Sequence, residues 1–216
     1  MTKSYIYLVT AFVLVIFLLH IYRYREGLTQ EPCSDFLSDR EYLLHMIPHH
    51  QVAVDISVLL QAKTQSPIMQ EIIRKLLWVQ EYEIQMMKDM LSNTTDNGMS
   101  DKSKMEYIYR HTTADITNPN KIKITDTECD PMFFDPEKHM EHMHHMEVND
   151  IMYIKHMIPH HQVAVDMSKK LLKHTTNDFM IYLAYRIIHS QQEEIVLLNN
   201  LLDKNNFWYK STILNS

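Results

Sequence analysis

Glycine, cysteine and basic residues are all scarce in this chain, and each shortage narrows the class of protein. The 216 residues include only two glycines, and almost no stretch alternates as a strand does, which favours helices joined by short turns. Without the three basic residues near the N-terminus, 18 Lys and Arg remain against 27 Asp and Glu, a net charge of −9. A surface this acidic argues against nucleic acid as a partner, because phosphate binding needs a basic surface.

One long apolar run lies near the N-terminus. Residues 5–22 carry no formal charge and would span about 27 Å as a helix, close to the thickness of a bilayer core. A cleaved signal peptide is the rival interpretation, but the run is long for one and no small-x-small cleavage site follows it. We therefore expect residues 1–25 to be an uncleaved anchor in contact with membrane lipid. The flanking charges nearly balance and therefore do not set the orientation. We expect the soluble domain on the extracytoplasmic or lumenal side.

An eleven-residue string, HMIPHHQVAVD, occurs twice, at residues 45–55 and 156–166. The same offset of 111 residues holds without a gap from 39–91 onto 150–202, with 21 identities in 53 positions. A duplication that keeps three histidines, a methionine and a proline while its surroundings diverge indicates selection for chemistry as well as packing. Two copies are too few for a solenoid, so we expect two halves of one body.

Each repeat predicts two helices, because apolar residues recur at helical spacing on both sides of a short break. Ser34 and Asp35 offer an N-cap to the first helix, and Ser66 with Pro67 offers a start to the second. We predict an all-α, ferritin-like four-helix bundle made of two helical hairpins, preceded by a single transmembrane helix. The chain then divides into an anchor (1–25), a first hairpin (34–92), a polar connector (93–135), a Met/His-rich lead-in with the second hairpin (136–204) and a tail (205–216).

The repeated histidines lie on helices in which residues four apart share a face. An isolated histidine is more often a core residue with a polar partner, but three within six residues, kept in two diverged copies, favour metal binding. Glutamates interrupt the apolar stripe of the second helix, with glutamines one turn earlier. We expect them to accept the other ring N–H of a ligating imidazole, and direct ligation of the metal is the alternative. The candidate ligands are His45, Met46, His49, His50, His156, Met157, His160 and His161, and the supporting residues are Gln80, Glu83, Gln191 and Glu194.

A second Met/His-rich segment, HMEHMHHM, occupies residues 139–146. Thioether sulfur suits Cu(I), and imidazole suits copper and zinc, so we expect copper, with Cu(I) preferred, Cu(II) also bound and zinc as the alternative. The centre of the segment would lie about 20 Å from residues 156–161 if one helix joined them, which predicts two classes of site. A methionine stripe packing in the core is the alternative interpretation. The candidate ligands here are His139, Met140, His142, Met143, His144, His145 and Met146.

Enzymatic motifs are scarce. A ferritin-type di-iron site needs two Glu-x-x-His motifs, and this chain has one, Glu141–His144, outside both repeats. No nucleophile motif, P-loop or dinucleotide fingerprint is present. We therefore expect a non-enzymatic protein that binds or sequesters a metal ion. A structural or interaction bundle and a metal-dependent oxidase are the two alternatives.

The two cysteines, Cys33 and Cys129, are not equivalent in the repeat. Each lies shortly before one copy, so a disulfide could join the two halves in an oxidising compartment. Two free thiols are the alternative, and the sequence leaves both open.

The MIPHHQVAVD core, the following helix with Gln and Glu, and the Met/His-rich lead-in resemble the bacterial family called domain of unknown function 305. The resemblance covers residues 39–91 and 139–202. It implies a ferritin-like four-helix bundle, and it implies copper binding or resistance, which are associated with some members. The implied first ligands are His49, His50, His160 and His161 with Met46 and Met157. Ile56 stands where the second copy has Met167, which makes the first copy the less typical of the two.

Overall fold

The computed structural model describes residues 30–93, 122–145 and 147–203. The predicted anchor, the tail, most of the connector and Met146 lie outside the described residues. Within the described ranges, no helix is both long and apolar enough to cross a membrane. The helices are α1 (Asp39–Gln61), α2 (Pro67–Asn93), a 3-10 turn (Pro131–Phe134), α3 (Pro136–His144), α4 (Asp150–Leu171) and α5 (Asp178–Leu202).

The start of α1 differs from the prediction. The N-cap is Ser38, whose side chain accepts a hydrogen bond from the Glu41 N–H, while the Glu41 carboxylate accepts one from the Ser38 N–H. This capping box satisfies two backbone donors at once, and the prediction of an N-cap at Ser34 or Asp35 was wrong. The start of α2 agrees with the prediction, since the Ser66 hydroxyl accepts a hydrogen bond from the Met69 N–H.

The chain is all-α in its described part, and its helices form a bundle of two hairpins. The first hairpin pairs α1 with α2, the second pairs α4 with α5, and the hairpins meet mainly where α1 contacts α4. Pro48 and Pro159 lie inside α1 and α4, and both helices continue through them.

Two reciprocal hydrogen bonds relate the repeats by a pseudo-two-fold axis. The Tyr42 hydroxyl lies 2.7 Å from the Ser168 hydroxyl, and the Tyr153 hydroxyl lies 2.8 Å from the Ser57 hydroxyl. Tyr42 is equivalent to Tyr153 in the repeat, and Ser57 is equivalent to Ser168. Because each tyrosine bonds to the serine of the other copy, the two halves close on each other symmetrically.

The bundle interior contains two apolar clusters. The first includes Met46, Leu183 and Ile187, and the second includes Ile73 and Leu198. Along each long helix, residues of the first cluster lie on one side of a buried polar pair and residues of the second cluster lie on the other. The one exception is Val54, which belongs to the first cluster but lies on the side of the second. A polar layer therefore crosses the middle of the bundle.

The segment before the second hairpin folds back over α1. A disulfide joins Cys33 to Cys129, and the buried Asp166 carboxylate accepts hydrogen bonds from the backbone N–H groups of Thr125 and Thr127. Asp135 then caps α3 by accepting from the Lys138 N–H. As a result, both α3 and the 3-10 turn pack against α1.

Candidate metal centre

Eight side chains form the polar layer, four from each repeat. Each is at most 2% exposed, and each occupies the same position in both copies. Burying so many polar groups is unfavourable unless they are bonded to one another or to a ligand. The layer consists of His49, His50, Gln80 and Glu83 from the first repeat and His160, His161, Gln191 and Glu194 from the second.

One histidine of each copy is bonded to a glutamate. The Nε2 atom of His50 lies 3.0 Å from Glu83 Oε2, and that of His161 lies 2.7 Å from Glu194 Oε2. Because a carboxylate accepts, the Nε2–H of each imidazole is the donor, and in the neutral form of the ring the lone pair is on Nδ1. Neither Nδ1 has a hydrogen-bond partner among the described residues. The predicted supporting role of the two glutamates fits this geometry, in which a carboxylate fixes the tautomer of an imidazole whose other nitrogen is available.

The other histidine pair lies on the pseudo-two-fold axis. The rings of His49 and His160 stack, with centroids 3.8 Å apart and planes inclined by 17°. Their four ring nitrogens have no hydrogen-bond partner of good geometry in the described part of the chain, although the backbone of His160 and of Phe133 lies near the His49 ring. Burial, reinforced by neighbouring histidines, lowers the pKa of both imidazoles well below the usual value. Both rings are therefore neutral at physiological pH, which is the form that binds metals.

Two further histidines extend this pair toward α3. The ring centroid of His156 lies 5.8 Å from that of His160 and 4.8 Å from that of His139. Burial lowers the pKa of His156 to about 4 and also lowers the pKa of His139. The expected distance of about 20 Å between the Met/His-rich segment and the repeat histidines was wrong, because α3 and α4 are separate helices and α3 folds back.

Aromatic rings cover this row of histidines. The Phe133 ring makes edge contacts with the rings of His156 and His160, at centroid distances of 5.4 and 4.9 Å. The ring centroid of Phe134 lies 5.0 Å from that of His49. Sequence reasoning missed both phenylalanines, since they lie in the connector. The apolar pair after Pro131 was the available signal.

The remaining candidates are dispersed. His45 is buried with its ring 6.2 Å from that of Phe134. Met46 lies in the first apolar cluster, and Met143 and Met157 lie in the second, as a packing role requires. Met140 is half-buried, His142 and His145 are exposed, and the side chain of His144 and all of Met146 lie outside the described part.

The glutamines and the Glu83 carboxylate complete the layer. Both amide atoms of Gln80 and of Gln191 are buried and have no hydrogen-bond partner among the described residues. Glu83 has a second partner, since the Arg186 Nε–H donates to its Oε1 at 3.0 Å. Arg186 was not among the predicted site residues, because the repeat does not preserve it: the equivalent position of the first copy is Lys75.

The polar layer brings four imidazole rings close together without aiming their nitrogens at one point. Within the described residues, no group of three or more His, Cys, Asp or Glu side chains already has the arrangement to hold a metal. The lone pairs of an imidazole lie in the ring plane, so stacked rings do not aim at one ion. The ring centroid of His50 lies 6.3 Å from that of His49, and that of His161 lies 5.9 Å from that of His160, so a site shared by these rings would require His49 and His160 to turn. The unpartnered nitrogens favour a cation that accepts imidazole, such as copper or zinc.

Known proteins share this fold. The described bundle is similar to CopM in its Ag-bound form, with a TM-score of 0.52 and 24% identity over 79% of this chain and 98% of that one. It is also similar to the Cu(II)-bound form of CopM, with a TM-score of 0.51 and 24% identity over 76% of this chain and 94% of that one.

An uncharacterized protein of Acanthamoeba polyphaga mimivirus is 42% identical over 57 residues, which are 26% of this chain and 38% of the viral protein. The chain thus spans well under two thirds of that relative. The family model for the domain of unknown function DUF305 matches residues 39–202. This chain belongs to the DUF305 family.

Proposed function

We propose that this protein binds copper as cargo in the polar layer of the bundle, as a carrier or sequestering protein. The observation that carries the proposal is the set of buried imidazole nitrogens on His49, His50, His160 and His161 that have no hydrogen-bond partner of good geometry among the described residues. A buried polar group without a partner costs about 1–3 kcal/mol, and coordination would remove that cost. The fold shared with CopM, solved with Ag, Cu(II) and Cu(I), supports copper as the metal.

Cu(I) is the preferred state in this proposal, with Cu(II) accepted and Zn(II) as the alternative. The neutral imidazoles suit all three ions. The thioethers of Met46 and Met157 would favour Cu(I), provided that they turn from the apolar clusters toward the layer. His139 and His156 would add an outer position for the ion, next to Asp130 and Asp55, whose charges favour a cation near these rings.

The location of the protein is part of the proposal. We infer that residues 1–25 anchor it in a membrane and that the bundle faces an oxidising, extracytoplasmic or lumenal space. The Cys33–Cys129 disulfide supports this, since such bonds persist in oxidising compartments. Residues 1–29 lie outside the described part of the chain, and the proposal for them rests on their sequence.

Elemental analysis of the full-length protein tests the function. After incubation with Cu(I), Cu(II) or Zn(II) and removal of free ions, the wild type should retain copper. Replacement of His49, His50, His160 and His161 by alanine should abolish most of it. The matched control is His189→Ala, which removes an exposed histidine of α5.

The alternatives predict different results. A wild type that retains no metal would contradict the proposal and favour a structural or interaction bundle. Oxygen consumption by the metal-loaded protein would instead favour a metal-dependent oxidase.

A further inference from the structure

The two halves of the polar layer differ in one charged partner, although their histidines, glutamines and glutamates are identical. Glu83 is bonded to both His50 and Arg186, whereas the only partner of Glu194 among the described residues is His161. Each glutamate is almost fully buried. The first half therefore holds a carboxylate already neutralised by a guanidinium, and the second half holds one that no described arginine or lysine contacts.

The difference comes from one position in the repeat. Arg186 of α5 is equivalent to Lys75 of α2, and the Lys75 ammonium instead lies 2.9 Å from Glu193 at the surface. Arg186 reaches inward, with its guanidinium 5.0 Å from the Tyr82 ring centroid and its side chain 31% exposed. The aromatic face and the buried carboxylate together hold the guanidinium in place.

We infer that Arg186 makes the two half-sites unequal, so that a metal cation binds more tightly at His161 than at His50. This inference rests on the proposed function. A carboxylate bonded to a ligating imidazole increases the basicity of that imidazole and compensates the charge of the metal. At His161 the full charge of Glu194 is available for this. At His50 the charge of Glu83 is already compensated by Arg186, whose own positive charge also repels the ion.

The test removes one glutamate-bonded histidine at a time and measures the affinity of what remains. In the full-length protein, His50→Ala leaves the His161 half, and His161→Ala leaves the His50 half. Cu(I) affinity is measured by competition with a chromogenic chelator, and Ag(I) serves as a redox-inert probe. We expect His161→Ala to bind at least about tenfold more weakly than His50→Ala.

Removal of the guanidinium should restore the weaker half. In the His161→Ala background, Arg186→Gln should tighten Cu(I) binding about tenfold, whereas Arg186→Lys, which keeps a positive charge, should tighten it less. Arg186→Met, which keeps the apolar stem against Tyr82, repeats the measurement if the glutamine variant does not melt cooperatively. Lys75→Gln is the matched control, because it removes the equivalent cation without touching Glu83.

The outcomes separate the inference from the function on which it rests. Equal affinities for the two single-histidine variants, or no tightening when the charge of Arg186 is removed, would overturn the inference while leaving copper binding intact. A wild type that binds neither Cu(I) nor Ag(I) would overturn the proposed function itself.

Discussion

The identical residues of the two repeats are of two kinds. Some carry the candidate chemistry, such as His49 and His160, whose ring nitrogens have no hydrogen-bond partner of good geometry in the described ranges. Others are structural, as Gln51 and Gln162 indicate by donating to the aspartate four residues later in the same helix. A repeat alignment alone does not distinguish the two kinds. The hydrogen bonds do, because a residue kept for packing has its polar atoms satisfied within the fold.

The buried tyrosines allow a test of the structural kind. Tyr153→Phe and Tyr42→Phe should each lower the free energy of unfolding by about 1 kcal/mol, since each loses a buried hydrogen bond. The loss should be larger for Tyr153, because Ser168 keeps a bond to the Ala164 carbonyl when Tyr42 is replaced. Denaturant unfolding measures the difference, with the exposed Tyr82→Phe as control.

Copper retention should be unchanged in both variants. A loss of metal without a loss of stability would show that these hydroxyl groups belong to the site.

At the scale of elements, the helices of the two hairpins could be predicted from the sequence, but the path of the Met/His-rich lead-in could not. The period of apolar residues and the Ser66–Pro67 start identify α2, because those signals are local. The return of α3 over α1 depends on long-range contacts that no local pattern encodes, such as the disulfide and the bonds from Thr125 and Thr127 to Asp166. The proximity of His139 to His156 follows from that return, which is why the sequence predicted two distant sites.

The 3-10 turn should limit access to the histidine row. Phe133 is 6% exposed and contacts three of the rings, so Phe133→Ala should speed the uptake of Ag(I) in stopped-flow mixing. The same change should cost about 3 kcal/mol of stability, as truncation of a buried phenylalanine does. Phe36→Ala is the control, since Phe36 is 55% exposed and its ring lies against His174. An unchanged uptake rate would mean that ions reach the row by another route.

At the scale of the whole molecule, the bundle combines two apolar clusters with a polar layer between them that is only partly hydrogen-bonded within the described residues. The clusters supply the hydrophobic stabilisation, and the layer reduces it, because several of its ring nitrogens and both of its side-chain amides have no hydrogen-bond partner among the described residues. Metal that binds only the folded state would therefore raise the melting temperature by mass action. The layer connects the stability of the fold to its proposed ligand.

The same burial makes the stability of the metal-free protein depend on pH. The pKa values of His49, His160, His156 and His139 are lowered in the folded state, while in the unfolded chain they return to about 6.5. Between these values the unfolded state binds more protons, so the free energy of unfolding should be nearly constant above about pH 6.5 and should fall as the pH drops below it. Denaturant unfolding at pH 7.5, 6 and 5 in the presence of a chelator measures this.

Replacing His49 and His160 by leucine should flatten that dependence, because neither position can then take up a proton on unfolding. The exposed His189→Ala variant should retain the wild-type slope. Wild-type stability that is the same at pH 5 and pH 7.5 would mean that His49, His160, His156 and His139 take up protons in the folded protein as readily as in the unfolded chain. Charged imidazoles stacked 3.8 Å apart would repel one another, so we expect the fold to exclude protons from this pair until it opens.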